Sequence, residues 1–239
     1  MSFVSSQQSR VLIGDYHFSP VLTDFEFMSD TDMPESTTLN DAAKMFIPSL
    51  QGSSFNGSGW LDTAGAANAH LDQLNDFQGV TAEALTWAQS GTTLGAELVM
   101  VAALESQFMV GSKVASISEF SLSGQTDGAT DFGRSLHELQ ARTTSSQETG
   151  YDNSALTSNG GVAHLHVTAF SGFSGVAVTV EHAPDNATWA TLATFTSATA
   201  LTQQRLAVAA ATTVNRYLRA KWVVTGSGSI SFQCGFARR

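Results

Sequence analysis

The sequence predicts a mainly β protein: an antiparallel β-sandwich or barrel with one α-helix, followed by a C-terminal β-sandwich. Three observations predict it. Charged residues make up only 13% of the 239, and glycine numbers 20, a composition that suits short strands and turns better than long charged helices. Short apolar runs with strand character recur from end to end. A single segment carries a helical period.

The elements follow in order. "RVLIGDYHF" (10–18) and "DFEFM" (24–28) read as strands. The next segment, "SDTDMPESTTLNDAA" (29–43), is acidic and irregular, with Asp30, Asp32, Glu35 and Asp41 and no hydrophobic period. It cannot bury enough surface alone, so it is expected to be an extended loop that orders only against a neighbouring copy. "KMFIPSL" (44–50) and "SFNGSGWLD" (54–62) are again strand-like. In "DTAGAANAHLDQLNDF" (62–77), Ala67, Leu71, Leu74 and Phe77 line one helical face with Asp72 and Asp76 away from it, and Asp62 or Thr63 offers a cap. "AELVMVAALE" (96–105) and "KVASISEFSLS" (113–123) are two more strands, and Phe120 and Leu122 alternate with Ser121 and Ser123.

A polar stretch over 140–160 reads as a linker or long loop. Beyond it the chain is almost purely strand-like: "VAHLHVTAF", "VAVTVEH", a turn at "APDN", "TWATLATF" and "QRLAVA". In "RYLRAKWVV", Leu218, Ala220, Trp222 and Val224 oppose Arg219 and Lys221. In "SISFQCGF", Ile230, Phe232, Cys234 and Phe236 share an apolar face. These are half-buried antiparallel strands of a sandwich.

Charge is unevenly placed. Of the net −10, residues 1–150 carry −13 and residues 151–239 carry +3. This asymmetry suggests two domains, 1–148 and 149–239, in different surroundings. The single cysteine excludes an intramolecular disulfide, and no apolar segment reaches signal-peptide or membrane-spanning length, so a soluble chain made in the cytosol is expected.

Catalytic and metal chemistry find little support. "SLSGQTDGATDFGRSLHE" (121–138) gathers Asp127 and Asp131 among glycines. It lacks the alternate oxygen ligands of a calcium loop and the G-x-x-x-x-G-K-[ST] of a phosphate loop; such clusters mark turns. His164 and His166 project to one face of a strand and could ligate a metal with His182, but alternate polar residues also suit a solvated face. Tyr217, Trp222 and Trp189 could form a sugar platform or a core. Cys234 reads as a buried, inert thiol. An acidic chain repels phosphate, which argues against ordinary nucleic-acid binding.

The order of pieces resembles the major tail tube protein of a long, non-contractile phage tail. The residues that carry the resemblance are "VLIGDYHFSPVLTDFEF", the acidic loop after it, "AAKMFIPSLQGSSFNGSGWLDTAGAANAHLDQL", "SISEFSLSGQTDGATDFGRSLHE", "TSNGGVAHLHVTAFSGFSGVAVTVEHAPDNATWATLATF" and "VNRYLRAKWVVTGSGSISFQCGFARR". The resemblance implies six copies to a ring and rings stacked into a tube that conducts DNA at ejection. It implies no enzyme activity, cofactor or metal. The implied partners are further copies of the chain, a tape-measure protein, tail-end proteins and double-stranded DNA in transit; membrane binding is not expected. The protein would sit in the virion tail, and in the host cytoplasm during assembly.

On this reading 1–148 forms the tube and 149–239 decorates its exterior. Asp30, Asp32, Glu35 and Asp41 form an inter-ring or inter-subunit loop; Gly124, Asp127, Gly128, Asp131 and Gly133 form a junction loop; Glu119 is a candidate acid of the lumen. The competing functions are a carbohydrate-binding adhesion module built on the C-terminal sandwich and a capsid decoration protein.

Overall fold

The computed structural model describes residues 6–62, 77–79 and 82–239. Of the helix expected within 62–77, residues 63–76 lie outside the described residues; Phe77, at its end, is buried. The first strands are β1 (Arg10–Ile13), β2 (Tyr16–His17), β3 (Leu22–Thr31), β4 (Gln51–Trp60) and β5 (Glu83–Ala88). Then come β6 (Glu97–Gly111), β7 (Glu119–Thr126), β8 (Asp131–Arg142), β9 (Ser146–Gln147) and β10 (Tyr151–Asp152). The last are β11 (Gly161–Ala183), β12 (Ala190–Thr194), β13 (Thr202–Val208) and β14 (Tyr217–Arg238). These strands pair in antiparallel ladders, in keeping with the alternating patterns.

The chain divides into two compact units. Unit 1 comprises Met1–Pro20, Glu83–Ala102 and Asp131–Arg239; unit 2 comprises Val21–Ala82 and Ala103–Thr130. The whole of 149–239 falls within unit 1.

In unit 1, β14 lies between β11 and β8. The sequence reads four separate strands in 162–182 and 217–236, but they are two continuous ones, paired from Gly161 and Arg238 to Ala183 and Tyr217. Bulges between Val167 and Gly175 let them bend rather than stop. Gly172 (φ +76°) and Gly226 (φ +92°) take backbone angles there that other residues rarely adopt. The core of unit 1 holds Leu165, Val178, Leu218, Ala220, Trp222, Ile230, Phe232, Cys234 and Phe236, all 2% exposed or less. The alternation read in both C-terminal runs therefore does face the core.

The polar stretch 140–160 is not a free linker. Trp222 donates its indole N–H to the Thr144 carbonyl at 2.8 Å, Ser145 accepts from the Val224 amide, and β9 and β10 both pair with β14. Polar side chains there satisfy the flank of β14 instead of facing only water.

Unit 2 is built on a sheet in the order β3-β4-β7, with the distal part of β6 paired to β7. The run 44–50, expected as a strand, lies outside the named strands and, among the described residues, shows one isolated bridge, Phe46 to Glu35.

Candidate functional site

The unit 2 sheet has two unlike faces. On the inner face, cross-strand rows bring Phe25, Gly57, Leu122 and Phe108 together, then Phe27, Phe55, Gly124 and Glu105. On the outer face the rows are Asp24, Ser58, Ser121 and Met109; Glu26, Asn56, Ser123 and Gln107; and Met28, Ser54, Gln125 and Leu104. Trp60 stands opposite Glu119, and Asp30 opposite Gly52, to complete it. Asp24, Glu26, Asp30 and Glu119 are all exposed.

No lysine or arginine occurs in β3, β4, β7 or residues 103–111 of β6. The outer face is thus uncharged side chains, with Met28, Trp60, Leu104 and Met109 exposed among the small polar ones, punctuated by four carboxylates; such a surface repels an anionic polymer without offering it a cation. Sequence reasoning selected Glu119 and Asp30 but missed Asp24 and Glu26. The signal was present, because both alternate with Phe25 and Phe27. Two shallow hollows of about 280 and 260 Å3 mark this face, one by Asp24 and Gln107, the other by Trp60 and Glu119.

The sheet ends without a partner on one side: among the described residues β3 pairs only with β4. On the other side, only β7 pairs with residues 107–111 of β6 among the described residues. Strand edges of this kind are templates for another chain.

Glu105 is the exception on the inner face. Among the described residues neither of its buried carboxylate oxygens has a hydrogen-bond partner, and desolvation pushes its pKa up to about 7. It sits at a bulge between Glu105 and Gln107, in the same row as the fully buried Phe55.

Residues 32–50 form a hairpin arm beyond β3 and β4, not an extended loop awaiting a partner. Asp32 and Leu50, Pro34 and Ile47, and Ser36 and Met45 are joined by backbone hydrogen bonds of 2.8 to 3.1 Å. Asp41 fastens the tip by accepting from the Thr38 amide at 2.6 Å and the Thr38 hydroxyl at 2.9 Å. These bonds lower its pKa. Glu35 pairs with Lys44 at 3.1 Å, and Asp30 accepts from the Thr31 amide at 2.8 Å. Local hydrogen bonds supply the order that hydrophobic burial does not.

The predicted junction loop is shorter than its residues suggest. Gly124 lies in β7; Asp131 and Gly133 lie in β8; Asp127 and Gly128 occupy the turn. Asp131 is buried and holds two guanidinium groups: Arg239 through Nε at 2.8 Å and Nη2 at 3.0 Å, and Arg205 at 3.0 Å. Its role there is that of an ion-pair anchor within unit 1. A Cβ on Gly133 would strike Met100 and the Phe236 carbonyl, so the glycine allows close strand approach.

His164 and His166 do share a face, but they are fully buried, not solvated. Thr86 Oγ1 lies 3.0 Å from His164 Nδ1 and 2.8 Å from His166 Nε2, and His166 Nδ1 is 2.7 Å from the Gly14 carbonyl. A carbonyl only accepts, so His166 carries its proton on Nδ1; Thr86 then donates to His166 and accepts from His164. Burial lowers the pKa of His166 to about 4 and that of His164 well below its usual value. His182 is engaged elsewhere, accepting from the Asn215 amide. Among the described residues no group of three or more His, Cys, Asp or Glu is placed to hold a metal ion.

The sugar platform is not formed either. Trp222 is 2% exposed, stacked on His137 and edge-on to Phe232 in the core, and Trp189 is covered by Arg219 at 4.1 Å. Cys234 is fully buried, and desolvation pushes its thiol up to about 12.

The sequence matches no protein-family model and no curated protein. Among solved structures, the chain is similar to a component of the virion of a native gene transfer agent particle, with 11% identity and a TM-score of 0.45, over 54% of this chain and 98% of that one. It is similar to a component of the tail of an empty gene transfer agent particle with C6 symmetry, with 12% identity and a TM-score of 0.39, over 47% and 81%. It is also similar to the phage SPP1 Dit protein, described as a paradigm of the hub adsorption apparatus in phages that infect Gram-positive bacteria, with 9% identity and a TM-score of 0.41, over 94% and 98%.

Proposed function

We propose that the chain is a structural virion protein of a long phage tail, whose copies close into six-membered rings stacked as a tube for DNA. The observation that carries this reading is the outer face of the unit 2 sheet, with four exposed acids and no base between two incompletely paired edges. Joining the β3 edge of one copy to the β6 edge of the next removes both edges and continues the face from copy to copy. The ring that results is lined by serine, asparagine, glutamine and carboxylates with Met28, Trp60, Leu104 and Met109 between them, and with no cation to hold phosphate, DNA slides past such a wall. The inner face, with Phe25, Phe27, Phe55, Phe120 and Leu122, turns away from the channel. The arm would meet a neighbouring subunit or ring. The part of unit 1 formed by 149–239 carries the chain's positive balance and suits the exterior.

Negative-stain microscopy of the purified chain, with sedimentation across a concentration series, tests the reading. Hollow tubes or six-membered rings are expected. Monomers or closed dimers at every concentration would overturn it.

A further inference from the structure

Apart from the acidic face, the arm exposes an apolar cluster and unit 1 exposes Phe132 beside a hollow. On the arm, Met33, Leu39, Met45, Phe46, Ile47 and Leu50 are each more than half exposed. In unit 1, Phe132 is 70% exposed on β8, opposite Val99 of β6. With Trp87 and Gln89 these residues line a hollow of about 240 Å3. One row further along, Arg134 and Glu97 form an ion pair at 3.0 Å on its rim. Exposed apolar clusters with a polar rim mark interaction surfaces.

We propose that the hollow between Trp87 and Phe132 receives Phe46 from the arm of a second copy of the chain, with Met45 and Ile47 beside it. Charge complementarity selects this occupant. Phe46 is bridged to Glu35, whose carboxylate holds Lys44 at 3.1 Å, so one acid and one base flank the arm's aromatic residue. The hollow presents the same set, Glu97 and Arg134 beside Phe132. All four side chains are at least 38% exposed, so exchanging partners, Lys44 to Glu97 and Arg134 to Glu35, desolvates little. An aromatic anchor seated in a pocket supplies the affinity and the rim charges fix the register. Knob and hollow belong to different segments of one chain, so a one-way contact between copies is heterologous and can propagate from copy to copy. It rests on the self-association proposed above and names the surface that it uses.

Disulfide trapping tests it. Phe46→Cys and Phe132→Cys are placed in separately tagged chains, mixed, and oxidised mildly; the native Cys234 is fully buried and stays silent. A disulfide joining the two tags is expected, with none in either variant alone. In a second experiment Glu97→Lys weakens association at low salt by about tenfold or more, and Lys44→Glu in the same chain restores it. Tubes or rings that form with no mixed disulfide and no response to Glu97→Lys overturn this contact and leave the tube reading standing. A chain that stays monomeric overturns both.

Discussion

The ring of Phe55 lies over Gly124, the residue directly opposite it on β7, so that a Cβ at position 124 would collide with that ring on one side and the Leu104 carbonyl on the other. The backbone on the second side cannot yield. Gly124→Ala is therefore expected to destabilise unit 2 by about 1–3 kcal/mol, read as a lower denaturant midpoint with unchanged slope. A midpoint equal to the parent's would show that Phe55 repacks freely.

Beside this pair, Glu105 is a carboxyl group with no hydrogen-bond partner for either oxygen among the described residues and a pKa pushed up to about 7 by desolvation. Because the folded-state pKa is raised above the unfolded one, the folded state holds a proton that the unfolded state has lost. Glu105 then favours the folded state least at high pH: stability falls as pH rises from about 4.5 towards 7. Glu105→Gln removes the ionisation and keeps the shape. The variant should unfold at a higher temperature than the parent at pH 8 and show no advantage at pH 4. Equal curves at pH 8 would mean that the carboxylate finds a partner in solution.

How far the sequence showed these features depends on the range of the contact. Alternation in 217–236 identified the buried face of β14, because Trp222, Phe232 and Cys234 reach the core by the period of a strand alone. Alternation could not reveal that β14 is continuous through 225–229, because that depends on glycines that bend a paired strand, and pairing is non-local. The histidines show the same limit. Their shared face was legible, but burial was set by Thr86 and Gly14, distant in sequence. The acid face was only partly legible: Glu119 stood out as a strand acid and Asp30 only as one charge of the acidic loop, while the absence of any base across β3, β4 and β7 has meaning only once those strands are neighbours.

Thr86 joins the two buried imidazoles, so replacing its hydroxyl by a methyl group leaves His166 Nε2 and His164 Nδ1 both unpaired. Thr86→Val should cost about 1–3 kcal/mol at pH 7 for each buried group left unsatisfied. The parent itself should weaken in acid. A His166 pKa lowered to about 4 means that the unfolded state binds the extra proton between about pH 6.5 and 4. The contribution, about 3 kcal/mol, is complete above pH 6.5 and is lost as pH falls through that window. NMR titration checks the cause directly: His166 should remain neutral with its proton on Nδ1 down to about pH 4. A resonance that titrates near 6.5 would show that the network opens to water.

The acidic face makes the sharpest functional demand. Asp24, Glu26, Asp30 and Glu119 are exposed on one side of a sheet whose strands carry no lysine or arginine, so replacing them disturbs no buried contact. If this face lines a channel, each change recurs in every copy of every ring, and the field inside is focused by the surrounding protein. Wild-type tubes should not retain double-stranded DNA at any salt concentration, since no counterion release rewards contact. Asp24→Lys with Glu119→Lys should convert the wall into one that holds DNA, with affinity falling steeply as salt rises; the slope of log K against log salt steepens by about 0.9 for each phosphate neutralised. Asp24→Asn with Glu119→Gln separates the two effects: it removes the repulsion without adding a cation, and retention should stay weak and nearly independent of salt. The readout is co-sedimentation of tubes with DNA across a salt series, alongside microscopy to show that the tubes are intact. Lysine variants that form normal tubes and retain no more DNA than the parent would place these residues away from the channel, and the four carboxylates would then serve an outer surface instead.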